Sequence, residues 1–180
     1  MSLPSFFRLA ETPTKEVVEL LQRTQLGTNG AQYRHLDTEK RVTELVNPLF
    51  LFIQRHDKVL GNVTFCRRQM PNGKTTFYIR YFAFDSKWSS SGKTVSKSKE
   101  NTILKKGLHT FFSDAFEGKY GEKPDLFYAY IEPRNARSLW MAETFDFKVL
   151  AEINTFSFSR FFPKGSTNVR QLVNQEILEY

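Results

Sequence analysis

Leu126-Phe127-Tyr128-Ala129-Tyr130-Ile131-Glu132-Pro133-Arg134-Asn135-Ala136-Arg137-Ser138 is the stretch on which the fold turns. Its first six residues, Leu126 to Ile131, read as a strand, because aromatic side chains favour pleated, half-buried backbone. Asn135 to Phe145 reads as a short helix. Upstream, Leu104, Leu108, Phe111, Phe112 and Phe116 mark an amphipathic helix. Before that helix, Phe77, Ile79, Tyr81 and Ala83 alternate with Tyr78, Arg80, Phe82 and Phe84, the period of a strand. A strand, a crossover helix and a second strand over 77–131 imply one parallel pair.

The meander before it sets the rest of the sheet. Phe50 to Gln54 is an apolar run that suits a strand buried on both faces. His56-Asp57-Lys58 turns the chain, and Val59, Gly61, Val63 and Phe65 then share one face. Pro71-Asn72-Gly73 is a strong turn signal. Residues 50–85 are therefore expected to form a three-stranded antiparallel meander.

Nearer the N-terminus, Phe6 to Leu9 reads as a strand. Thr12-Pro13 suits a cap and first helical turn, and Val17, Leu20 and Leu21 give a helix over 13–24. Asp37 can cap a second helix carrying Val42, Leu45 and Val46, ended by Asn47-Pro48. Residues 86–100 are rich in Ser and Lys and read as an exposed loop. Phe147 to Ile153 and Thr155 to Phe161 are expected as two late strands. Val169, Leu172, Val173 and Ile177 suit a terminal helix or tail over 162–180. One α/β (α+β) domain over 1–180 is expected, with a core at about 6–161. Its sheet should be mixed, mainly antiparallel, with six to seven strands flanked by helices.

Composition narrows the class. Forty per cent of the 180 residues are hydrophobic and 25% charged, the balance of a globular core. Eighteen Phe and seven Tyr supply that core with bulk. The net charge of +7 points to an anionic partner or simply to solubility. Cys66, as the one cysteine, excludes an internal disulfide and any cysteine-rich metal site. No stretch reaches the ~18 apolar residues of a membrane span, and nothing at the N-terminus reads as a signal peptide, so a cytoplasmic location is expected and no membrane contact.

The element order, with Ile131-Glu132-Pro133-Arg134-Asn135-Ala136-Arg137-Ser138 and an aromatic at Phe147, resembles the GNAT superfamily of acyl-CoA-dependent N-acyltransferases. The resemblance covers about residues 6–161. It implies acetyl-CoA as co-substrate, no metal, and a small-molecule or peptide amine as acceptor. In such folds the strand before the long helix splays from its parallel neighbour, and its free backbone groups bond the pantetheine arm. Here that strand end is Phe82-Ala83-Phe84, with Asn135 and Ser138 at the facing helix. A glycine loop then turns backbone N–H groups to the pyrophosphate at a helix N-terminus.

Two registers fit that loop. Ser89-x-x-Gly92-x-Thr94 follows the strand directly but makes the helical segment about ten residues too long. Leu104-Lys105-Lys106-Gly107-Leu108-His109 has the better spacing to Leu126 and requires 86–103 to be largely an insertion; it is preferred. Both lack the leading Arg or Gln and the second Gly. Gly107 is otherwise an incidental helix glycine costing ~1 kcal/mol against Ala.

The family's thiolate-protonating Tyr would fall at about Ala142, so that acid is absent, and Tyr128 and Tyr130 are the alternatives. Asp85 and Glu132, near the ends of the two central strands, are the candidate bases. An active acetyltransferase is the leading expectation; a non-catalytic domain of the same fold, binding CoA, a peptide or a protein, is the rival. Gly92-Lys93-Thr94 lacks the earlier glycine of a P-loop, Lys87 standing in its place. His35, His56 and His109 have no metal-ligand spacing. Arg67-Arg68 among aromatics could serve a nucleic acid, which alternating burial explains more simply. A homodimer through the late strands is a further expectation.

Overall fold

The structure, a computed structural model, describes residues 3–24, 36–85, 99–133 and 135–153. Its elements in chain order are β1 (Phe7–Ala10), α1 (Lys15–Arg23), α2 (Thr38–Thr43), β2 (Pro48–Arg55), β3 (Lys58–Gln69), β4 (Thr75–Phe84), α3 (Lys99–Phe116), β5 (Leu126–Tyr128) and α4 (Ala136–Thr144). The strands form one sheet in the order β1-β2-β3-β4-β5. Each neighbouring pair is antiparallel except β4 and β5, which are parallel. The expected mixed sheet with one parallel pair is therefore present.

The sheet buries both faces. Leu49, Leu51, Ile53, Val63, Phe65 and Phe77 point to one side, where Leu108, Phe111 and Ala115 of α3 meet them. Phe65 stacks on Phe111 with centroids 4.5 Å apart. Phe50, Phe52 and Val59 point to the other side, where Val17, Leu20 and Leu21 of α1 and Val42 of α2 cover them. The unbroken apolar run of β2 is thus explained by burial on alternating sides.

Several boundaries differ from the sequence reading. Thr14, not Thr12, caps α1: its hydroxyl accepts from the Val17 amide at 3.3 Å, and Pro13 lies outside the helix. The long helix begins at Lys99 rather than near Leu104, so part of the expected insertion is helix. β5 ends at Tyr128 rather than Ile131, where its pairing with β4 stops. Five strands are described where six to seven were expected. Phe147–Ile153 pairs with no strand among the described residues, and its expected partner at 155–161 lies outside them, as does the C-terminal tail or helix.

The phase of β4 also changes midway. Thr64 faces Arg80 but Asn62 faces Ala83, so Val63 opposes two residues, Tyr81 and Phe82. This is a β-bulge, with Tyr81 in the left-handed region at φ 48°. The Asn62 side-chain amide holds it by donating to the Tyr81 carbonyl at 3.0 Å. The strict alternation read from sequence is therefore corrected. Phe77, Ile79, Phe82 and Phe84 pack on the α3 side, while Tyr78 and Arg80 are joined by Tyr81 and Ala83 on the α1 side.

The backbone groups into two units, Met1–Lys148 and Val149–Tyr180. Of the second, residues 149–153 are described, and they are exposed. No helix among the described residues is long and apolar enough to cross a membrane.

Candidate functional site

β4 and β5 share three rungs: Thr76 with Leu126, Phe77 with Phe127 and Tyr78 with Tyr128. Beyond Tyr78 the two chains part, and β4 continues to Phe84 with β3 as its one neighbour among the described residues. The parting opens a cleft of about 270 Å³. Ile79, Arg80, Tyr81 and Phe82 form one wall; Ala129, Tyr130 and Ile131 form the other. Ser138, Met141 and Ala142 of α4, with Phe145 just beyond its end, close one end. The cleft reaches both faces of the sheet, since Phe112 lines it from the α3 side and Arg80 and Tyr81 from the α1 side.

Asn135 starts α4 beside this opening. Its side-chain oxygen accepts from the Ser138 amide at 3.2 Å, satisfying one of the helix's free first-turn donors. The cap fixes where α4 begins and so where Ser138 stands against the cleft.

Of the residues singled out by sequence, Phe82, Asn135 and Ser138 come together here. Ala83 is buried toward α1 and Phe84 packs toward α3. His109 stands 5.3 Å from the ring of Phe145 but does not line the cleft. Lys105 and Lys106 are exposed on α3, and Leu108 is core.

Gly107 does not open a helix. It is the ninth residue of α3, and amides in mid-helix are committed to carbonyls four residues back. A Cβ at this position would stand 2.1 Å from the Phe7 ring. Glycine is required here for close packing of β1 on α3, so the Leu104–His109 register loses its basis. The competing Ser89-x-x-Gly92-x-Thr94 segment lies outside the described residues.

Asp85 is likewise engaged elsewhere. Its carboxylate pairs with Arg23 at 3.0 Å, tying the end of β4 to α1, and it does not line the cleft. Glu132 follows Ile131, a residue of the cleft wall, and its carbonyl accepts from the Asn135 amide at 2.8 Å.

Ala142 lines the cleft, so the phenol expected at that helix position is absent there. Other phenols are present. Tyr130 lines the cleft and is 65% exposed. Tyr78 also lines it, and burial pushes its phenol above the usual range, so it is protonated at neutral pH. Tyr78, Tyr81 and Arg80 were missed as site residues. Arg80, a lone charge in an aromatic strand, was the available signal.

Cys66 is buried, and burial pushes its thiol up, which keeps it protonated and unreactive. Among the described residues no group of three or more His, Cys, Asp or Glu is placed to hold a metal.

No protein-family model and no curated protein matches the chain. Solved structures do. A transcriptional regulator from Bacillus halodurans C-125 matches with a TM-score of 0.52 at 12% identity, over 84% of this chain and 99% of the other. An acetyltransferase from Trypanosoma brucei matches with a TM-score of 0.50 at 10% identity, over 84% and 99%. Glucosamine-6-phosphate N-acetyltransferase from Arabidopsis thaliana gives 0.49 at 12% identity, over 84% and 97%. At these identities the likeness is one of fold. With one parallel pair among the described residues, parting into a cleft beside a helix capped by Asn135, the chain has the GNAT fold.

Proposed function

We propose that this domain is an acyl-CoA-dependent N-acyltransferase, moving an acetyl group from acetyl-CoA to an amine. The parting of β4 from β5 after Tyr78 carries the reading. It leaves backbone groups of residues 79–82 facing a cleft with apolar walls, the surroundings that an extended amide-bearing pantetheine arm needs. Because α3 starts at Lys99, the pyrophosphate is assigned to the segment before it, the Ser89–Thr94 register, instead of Gly107.

In the proposed reaction the neutral amine nitrogen attacks the thioester carbonyl carbon. The C–N bond forms, the C–S bond breaks, and the thiolate leaves. The amine's surplus proton passes through water to Glu132, one residue past the cleft wall. Tyr130 gives its phenolic proton to the thiolate and recovers one from solvent. Asp85, held by Arg23, is assigned to structure.

Calorimetric titration of the protein with acetyl-CoA tests the reading, with Ala142→Trp as the control that fills the cleft. Micromolar binding by the parent and none by the folded variant is expected. No binding by the folded parent overturns the proposal. Binding without release of free CoA across a panel of amines leaves a CoA-binding domain in its place.

A further inference from the structure

We infer that the acceptor carries an oxyanion, a carboxylate or a phosphate, read by Arg80 in the cleft wall and Arg68 beside it on the same face of the sheet. This rests on the acyl-transfer reading, because it names the acceptor class of the same cleft.

The two arginines share a face. Thr64 pairs with Arg80, Cys66 with Tyr78 and Arg68 with Thr76, so Arg80, Tyr78 and Arg68 lie along one side of adjoining strands. Both guanidinium groups sit against Tyr78, at 5.0 Å for Arg68 and 5.6 Å for Arg80. Arg80 also lies 5.2 Å from the Tyr81 ring, and Arg68 donates to the Tyr128 hydroxyl at 3.3 Å. Tyr78 stacks on Tyr128 and meets Tyr130 edge-on at 5.4 Å. The result is an aromatic wall with two guanidinium groups against its central ring.

Neighbouring arginines behave differently. Arg23 pairs with Asp85 at 3.0 Å, and Arg67 with Glu11 at 2.8 Å. No carboxylate among the described residues forms an ion pair with Arg68 or Arg80. Two like charges on one face repel each other and raise the local positive potential. Aromatic contact engages the flat face of a guanidinium and leaves donors along its edge. Those donors match the paired oxygens of a carboxylate or phosphate.

The field has a second use. A positive neighbourhood disfavours an ammonium ion and so favours the neutral amine that can attack. One pair of side chains would then orient the acceptor by its anion and help to deprotonate its amine.

Matched acceptors test this: phenylalanine against phenylethylamine, and O-phosphoethanolamine against ethanolamine. Free CoA release would be followed for the parent, Arg68→Gln, Arg80→Gln and the double variant, each checked by thermal melting and acetyl-CoA calorimetry. The expected result is a kcat/KM preference of about tenfold or more for the anionic member of at least one pair, as charge-assisted hydrogen bonds supply. Which pair shows it separates carboxylate from phosphate. The preference should collapse in the double variant through the KM of the anionic member. Equal kcat/KM within both pairs, or a preference that survives in folded variants, overturns the inference. Should acetyl-CoA fail to bind, the acyl-transfer reading fails on its own. Direct titration with O-phosphoethanolamine and phenylalanine then decides the arginine site: binding lost in the double variant supports it, and no binding by the parent refutes it.

Discussion

Tyr78 and Tyr128 face each other across the last rung of the parallel pair, their rings stacked at 5.0 Å with 13° between planes. Beyond this contact, residues 79–82 of β4 and 129–131 after β5 line the cleft. The stack is therefore the point at which sheet becomes site. Tyr128→Phe keeps the ring and loses the bond from Arg68, so it should cost under ~1 kcal/mol. Tyr128→Ala loses the stacked pair as well and should cost about 2 kcal/mol, with weaker acetyl-CoA binding. Chemical denaturation of the two variants, followed by calorimetry, measures both effects.

Gly107→Ala should destabilise the domain. Helix propensity alone predicts a gain of ~1 kcal/mol. The Phe7 ring, buried and 2.1 Å from the new methyl position, opposes it. Overpacking of this kind costs roughly 1–3 kcal/mol. A denaturation midpoint above the parent's would show that Phe7 yields freely. Gly107→Glu should fail to fold rather than fold and lose cofactor.

Glu132→Gln and Asp85→Asn should separate cleanly. Removal of a base lowers kcat by about 10²-fold or more. Asp85→Asn breaks a partly exposed ion pair, worth under ~1 kcal/mol, and should leave turnover within a few-fold of the parent. Steady-state rates on one acceptor are sufficient. Equal losses in the two variants would restore Asp85 as a candidate base.

Tyr130→Phe should lower kcat by about 10²-fold with acetyl-CoA affinity intact, because only the phenolic proton is removed. A Tyr130→Phe enzyme with the parent's kcat would transfer the acid's role to another group, with Tyr78 next in line.

Asp114 gives the fold its clearest acid sensitivity. Lys119 donates to its carboxylate at 2.5 Å and the Tyr120 hydroxyl donates at 3.2 Å. The Lys119 bond first, and the Tyr120 bond after it, hold the Asp114 carboxyl below its usual range, against the opposing pull of burial. A carboxyl depressed by folding adds stability that is fully present above its unfolded value, near ~3.9, and is lost as pH falls through the folded value below it. Asp114→Asn should melt a few degrees lower than the parent at pH 7, and the gap should narrow as pH falls below about 4. A gap that stays constant to pH 2 would show that the carboxylate's charge is not what matters.

Much of the architecture was legible because it rests on periodicity and local chemistry. The apolar run at Phe50–Gln54, the Asn72-Gly73 turn and the α3 residues Leu108 and Phe111 each declare their environment. Asn135 declared the start of α4. What was not legible depended on contacts distant in sequence. The bulge at Tyr81 has no local signature; it is imposed by pairing with β3 and held by Asn62. Gly107 resembled a loop glycine until Phe7, a hundred residues earlier, was placed against it. Asp85 looked available as a base because sequence does not show Arg23 beside it. Arg68 was read only within the pair Arg67-Arg68, because the Tyr78 ring it sits against is contributed by an adjacent strand.

A cleft lined from both faces of the sheet can take a ligand from each. In the proposed reaction, acyl donor and acceptor would then approach from opposite faces, neither blocking the other's path. Both would then be held at once, and the two products would leave independently. Such a layout calls for a ternary complex and rules against a parked acyl-enzyme: initial-rate plots with both substrates varied should intersect, not run parallel.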